Sequence, residues 1–504
     1  MPRRLVTVTL IALLAATLLL ARVNAAPPTQ ITIAVPSDIV SMDPHATSDF
    51  VTNQVMTGTV YETLVKVGTK GEYEPALAVS WKILDNQTWE FRLRPNVKFH
   101  NGEPLTADAV KFSLDRCLNP ANRCPRRGQL SVAQSVEVVD PMTVRIKTEG
   151  AFAALPSALM FGFIVAPRAV QTDPQALQKQ AIGTGAMRLV EWQRGQRLVF
   201  ERFNDYWGKK PQFERVIYRP IPDEIARVAA LQAGEVHLVT AMPPEMVPVL
   251  TRNPKTAVAR RGQRQIYIGM DATGTNLKPL ADVRVRQAMN YAVNKDVLVS
   301  RILEGNAVPN VGGMFPQAPG FDTRLRPYPH DPGRAKRLLA EAGYADGFEV
   351  TLNFVPGLEG SLKTKEVVES VASDLGNVGI RVRLVQMEAA AFWDGYFGKK
   401  YQMYLLTWGT SPEAGLYYRT LLHSRTRGLY YRNSKTDELI DAWFAALEPR
   451  QRVETGRVLH RHVYEQAPFI FLFNQFSLFG MSASLTWVER PIEVIWAYDL
   501  GWQE

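Results

Sequence analysis

Cys117 and Cys124 are the only two cysteines of the chain, set in Asp115-Arg-Cys-Leu-Asn-Pro-Ala-Asn-Arg-Cys-Pro125. In an oxidising compartment such a pair is expected to form a disulfide closing a small Pro/Asn loop, a gain on the order of 2–3 kcal/mol. A zinc site would need two further ligands, and no histidine stands close in sequence, so no metal is expected. His460 and His462 lie two apart in a helical stretch, where side chains diverge, and read as surface positions. Asp38 and Asp43 flank turns, with nothing to mark them as a glycosidase pair. Gly183-Thr-Gly185 lacks the third glycine and the acidic ribose partner of a dinucleotide loop. Gly-x-Ser-x-Gly, a Gly-Lys-Ser/Thr phosphate loop and His-Glu-x-x-His do not occur. None of these residues is expected to be catalytic or to hold a cofactor.

The start of the chain predicts export. Arg3 and Arg4 precede an apolar core, Leu5 to Ala21, and Val23-Asn24-Ala25 offers small residues for cleavage after Ala25. Residues 1–25 thus read as a signal peptide, with no nearby cysteine for lipid attachment. The core carries three threonines and is short for a membrane span. The chain has 504 residues and 46% hydrophobic content, enough for two to four folded domains. Its formal charge is +9, or +6 without the three arginines of the leader. The basic residues are dispersed, which argues against a nucleic-acid binder.

Elements that could position a site follow from periodicity. Trp89, Phe91 and Leu93 share one face of a strand whose other face carries Glu90, Arg92 and Arg94. Thr106 caps a helix with Asp108 in its first turn. Asp282 caps a second, striped by Val285, Met289, Ala292 and Val293 and stopped at Gly305. Asp331-Pro332 opens a third, which Gly343 ends. Residues 348–409 alternate as strand (Phe348–Phe354), helix (Ser361–Asn377), strand (Ile380–Leu384), helix (Glu388–Lys400) and strand (Met403–Trp408). This is the half-unit of a doubly wound α/β sheet, whose ligands sit beyond the carboxyl ends of the strands. That points to Phe354, Val355, Pro356 and Gly357, and to Trp408, Gly409, Thr410 and Ser411.

An ordered series of motifs carries a resemblance: Ser41-Met-Asp-Pro-His45, Val60-Tyr-Glu-Thr-Leu64, Pro75-Ala-Leu-Ala-Val-Ser-Trp81, Leu93-Arg-Pro-Asn-Val-Lys-Phe-His-Asn-Gly102, Thr106-Ala-Asp-Ala-Val-Lys-Phe112, Gly183-Thr-Gly185, Asn204-Asp-Tyr-Trp207, Asp282-Val-Arg-Val-Arg-Gln-Ala288 and Asp331-Pro-Gly-Arg-Ala-Lys-Arg-Leu-Leu339. From about residue 30 onward the chain resembles the extracellular solute-binding proteins of peptide, opine and nickel ABC importers. The resemblance implies an α/β, two-lobed, hinged periplasmic-binding-protein fold of type II. Lobe 1 would span 26–267 with an inserted subdomain at about 61–180, lobe 2 would span 268–473, and 474–504 would return to lobe 1. The crossovers would lie near 264–272 and 468–478. It implies a periplasmic monomer that captures a peptide or peptide-like solute and delivers it to separate permease and ATPase chains. The loop Thr47, Ser48, Asp49, Phe50 would form the first-lobe wall, and Trp408 a flat apolar wall. Peptide binders of this kind place an aspartate near Ser411 for the peptide ammonium. Either Glu413 or Asp49 replaces it here, or the solute is glutathione, an opine, a sugar or a metal chelate. A secreted hydrolase on the same scaffold is the reading from a different class.

Overall fold

The computed structural model describes residues 28–409, 414–425 and 430–503. The leader lies outside them. One mixed sheet of eleven strands organises the chain: β1 Gln30–Val35, β2 Met187–Gln193, β3 Arg197–Arg202, β4 Arg215–Pro220, β5 Leu238–Val239, β6 Thr256–Met270, β7 Ala307–Pro309, β8 Phe348–Phe354, β9 Ile380–Gln386, β10 Met403–Gly409 and β11 Phe469–Ser482. Their order is β9-β8-β10-β6-β11-β5-β1-β4-β3-β2, with β7 paired to β11. β8 runs parallel to β9 and β10, as β-α-β units require.

β6 and β11 are the long strands, and they serve both halves of the sheet. Residues 256–261 of β6 pair only with β11, while 264–269 pair with β11 on one side and β10 on the other. The register slips between Arg261 and Gln263, where Gly262 takes a φ of 57°. A bulge of this kind bends a strand and raises its local twist. Beyond it Phe469-Ile-Phe-Leu-Phe473 is buried on both faces, as a central strand should be.

The helices that matter here are α1 Phe50–Met56, α2 Ala107–Leu118, α3 Arg127–Leu130, α4 Val283–Ala292, α5 Pro332–Glu341, α6 Thr364–Gly376, α7 Ala389–Phe397, α8 Ala414–Leu422 and α9 Pro449–Gln466. α2 is capped by Thr106, which accepts from the Ala109 amide. It packs on a separate antiparallel sheet of order Ala78–Ile83, Thr88–Leu93, Thr143–Thr148, Ala133–Asp140. Trp89, Phe91 and Leu93 are buried there. Cys117 at the end of α2 is bonded to Cys124, with the Cα atoms 5.1 Å apart.

Two expectations fail. The helix capped by Asp282 does not reach Gly305. α4 ends at Ala292, Val293 is extended, and Asn294 captures the Val297 amide to start a separate turn. The buried Lys295 ammonium donates to the Asn290 carbonyl at 2.6 Å, so side chains take backbone groups the helix would have used. His460 is not a surface residue. It is fully buried, accepts from the Asp322 amide and donates to the Val311 carbonyl at 2.7 Å; burial pushes its pKa down to about 4. His462 points elsewhere, onto the Thr436 hydroxyl at 2.9 Å. The divergence holds, but one direction leads into the core.

Candidate solute cleft

The seam between the two halves of the sheet is built around Arg264. In register it lies between Gly409 of β10 and Gln475 of β11. Its Nη2 donates to Glu493 Oε2 at 2.8 Å and its Nη1 to Thr407 Oγ1 at 3.0 Å. Its guanidinium lies 4.8 Å from the Phe50 ring centroid. Both ends of the ion pair are nearly dry, with 6% and 10% side-chain exposure. A desolvated pair of this kind holds only because further hydrogen bonds satisfy it. Ser477 donates to the other Glu493 oxygen, and Gln54 of α1 donates to the Glu493 carbonyl at 2.9 Å.

The loop after β8 closes over the seam. Gln475 donates to the Gly360 carbonyl at 2.8 Å and accepts from the Leu362 amide at 3.1 Å. Lys363 reaches Glu245, between β5 and β6, at 2.7 Å. Burial alone would raise the Glu245 pKa; the Lys363 ammonium outweighs it and holds the carboxyl below its usual value. A second bridge comes from the sheet domain that carries α2. Phe152 stacks on Phe444 at 4.6 Å, the Ala153 amide donates to the Phe444 carbonyl at 2.7 Å, and the Arg419 guanidinium lies 5.3 Å from the Phe152 ring.

The residues expected at the site divide into groups. Thr47, Ser48, Asp49 and Phe50 form the entry to α1. Thr47 Oγ1 accepts from the Asp49 amide, and the Ser48 carbonyl accepts from Asn53. Asp49 caps α1, its Oδ1 accepting from the Thr52 amide at 2.7 Å and the Thr52 hydroxyl at 2.6 Å. Phe50, Gly409 and Arg264 come together at the seam. Trp408 is half-buried, edge-on to Tyr417 with centroids 5.6 Å apart. Phe354 and Val355 are buried in the core at the end of β8. Thr410, Ser411 and Glu413 lie outside the described residues.

Sequence reasoning missed Arg264, Glu493, Gln475, Lys363 and Glu245. Arg264 had a weak signal, as a charge beside the apolar run Ile266-Tyr-Ile268 in a flagged crossover. Glu493 had none, because its partner lies 229 residues away. Gly183 and Gly185 are explained by approach: a Cβ on either would sit 2.0 Å and 2.4 Å from the carbonyl oxygens of Val60 and Thr59.

The sequence profile of the bacterial extracellular solute-binding proteins, family 5 Middle, matches residues 72–428. The chain belongs to family 5 of the bacterial extracellular solute-binding proteins. It is 34% identical over 367 residues to the glutathione-binding protein GsiB of Pectobacterium atrosepticum, covering 71% of this chain and 69% of that one. The fold is that of the periplasmic binding protein DppA of Helicobacter pylori, solved with the peptide STSA: TM-score 0.82, 24% identity, 94% and 98% of the two chains covered. NikA of Brucella suis, solved with Fe(III)-EDTA, gives TM-score 0.82 at 25% identity, covering 94% of this chain and all of that one. The two-lobed type II architecture follows. Among the described residues no helix is long and apolar enough to cross a membrane, and no group of three His, Cys, Asp or Glu could hold a metal ion.

Proposed function

We propose that this chain is the periplasmic receptor of an ABC importer for short peptides or a peptide-like solute such as glutathione. It encloses the solute between its lobes and passes it, chemically unchanged, to a membrane permease driven by separate ATPase chains. The observation that carries the reading is the seam of the sheet. Two long strands run through both of its halves, and polar side chains bridge the seam around Arg264 and Gln475. The names of its relatives, which bind glutathione and a tetrapeptide, support the solute class.

In this account lobe 1 ends and lobe 2 begins along β6, near residue 267. Lobe 2 ends along β11, near residue 473, and 474–504 belongs to lobe 1. Gly262 is the pivot on β6. Phe50, Trp408, Gly409, Thr410 and Ser411 line the cleft. Asp49 supplies the anion for a solute ammonium: its Oδ1 is taken by the helix cap, which leaves Oδ2 for the solute. The leader is removed after Ala25, and the mature protein acts as a free monomer in the periplasm. A non-peptide solute is the second reading. It is favoured by Ser411, which stands where peptide binders carry an aspartate.

Native mass spectrometry of protein purified from a periplasmic fraction tests the proposal. A single small solute bound one to one, released with its mass intact, is the expected result. Protein that carries no solute and binds none from a mixture of glutathione and short peptides would overturn it.

A further inference from the structure

A contact that uses neither β6 nor β11 joins the sheet domain carrying α2 to the helices that follow β10. Phe152 and Phe444 stack at 4.6 Å with their planes 8° apart, and both are buried, at 6% and 3% exposure. Phe152 stands in the turn after the strand Thr143–Thr148, and Phe444 near the end of the helix Ser434–Ala445. The turn is held in shape by its own groups: Gly150 takes a φ of 87°, and the Thr148 hydroxyl donates to the Gly150 carbonyl at 2.7 Å. The helix gains a partner that it lacks. The last four carbonyls of a helix have no donor within it, and that of Phe444 accepts from the Ala153 amide at 2.7 Å. Arg419 of α8 lies 5.3 Å from the Phe152 ring, and its charge feels Asp441 on its own side and Glu149 on the other. α8 also packs against α3.

Every group in this contact is a protein group, so it needs no solute atom. In the proposed account Phe152 and Ala153 belong to lobe 1, and Phe444 and Arg419 to lobe 2. Rotation of the lobes about β6 and β11 leaves those strands paired and pulls this contact apart. Two phenyl rings then turn from each other into water, which costs both their pairing and their burial. The Phe444 carbonyl exchanges one donor for water and opposes the opening little. The aromatic pair therefore carries the bias.

We infer that Phe152 and Phe444 form a clasp that favours the closed form before a solute is bound and slows release of the solute afterwards. They are positioning residues, acting through the lobes and not on the solute. The inference rests on the importer reading and names what regulates the opening of its cleft. A solute adds to the bias through its own differential affinity for the closed form.

Spin labels at Lys209→Cys and Lys336→Cys, one on each proposed lobe, read the opening without a solute by double electron–electron resonance. The otherwise wild-type chain should spread over short and long distances, and Phe152→Ala should move most of the short-distance share to the long ones. Phe444→Ala, made from the other side, should do the same. The double variant should shift no further than the larger single shift, because either ring alone has nothing to stack on. Release of glutathione or Ala-Ala-Ala, followed by tryptophan fluorescence in stopped flow, should be about tenfold faster in each variant, with association no slower. Phe152→Leu, which keeps an apolar contact, should recover part of the loss. Solute-free distributions that do not change, or single shifts that add in the double variant as two separate structural defects would, overturn the clasp and leave the importer reading intact. A wild-type chain that binds neither probe overturns the peptide reading, and the solute-free distances still decide the clasp.

Discussion

Glu62 shows how single side chains set the solution behaviour of this protein. It is buried, and it accepts from Trp207 Nε1, the Thr184 hydroxyl and the Tyr206 hydroxyl at 2.8–3.0 Å. Burial outweighs those three donors and raises its pKa from 4.5 to about 7. Between those values the folded chain keeps a proton that the unfolded chain has lost. Stability therefore falls as pH rises through that window, by up to about 3 kcal/mol. Glu62→Gln removes the titration, and the Tyr206 hydroxyl can turn to accept from the new amide. Calorimetric midpoints at pH 5 and pH 8 should show the variant gaining on the wild type at the higher pH; parallel profiles would refute the shift. Asp49→Asn makes a second test at this scale. The amide keeps the oxygen that caps α1, so the midpoint should stay within a degree or two. Binding of amine-bearing peptides should weaken about tenfold, the scale of a lost charge-assisted hydrogen bond. An unchanged affinity would remove Asp49 from the site.

At the level of elements, the loop 355–363 is tied to Gln475 and Glu245, and in the proposed account it is a strap across the cleft. Its ion pair, Lys363 with Glu245, is partly exposed and contributes about 0.5–1 kcal/mol. A solute that binds the closed form should therefore bind Lys363→Ala about two- to fivefold more weakly, with the melting midpoint little changed. Equal affinity would show that the strap does not contribute to closure. The elements of this region were readable in advance because periodicity is local. Val350 and Leu352 alternate with Glu349 and Thr351, and β8, α6, β9, α7 and β10 follow within a residue or three of expectation. The break after Ala292 was not readable. The apolar stripe runs on past it, and what ends the helix is an ammonium tethered to a carbonyl, a tertiary event. The same holds for the Arg264–Glu493 pair, in which each partner alone looks like a solvated charge.

For the whole molecule, two long strands run through both halves of the sheet, and several weaker bridges join the halves. In the proposed account these strands join the lobes, and the register slip at Gly262 gives one of them a place to bend. The bridges at Lys363, Gln475 and Phe152 are those a solute would have to favour. A ligand shifts such an equilibrium only by its differential affinity for the closed form. The direct test is a distance distribution between spin labels at Lys209→Cys in lobe 1 and Lys336→Cys in lobe 2, measured by double electron–electron resonance. Saturating with the solute identified by mass spectrometry should collapse a broad distribution into one shorter, narrow distance. A distribution that stays the same with the solute bound would contradict capture by lobe closure.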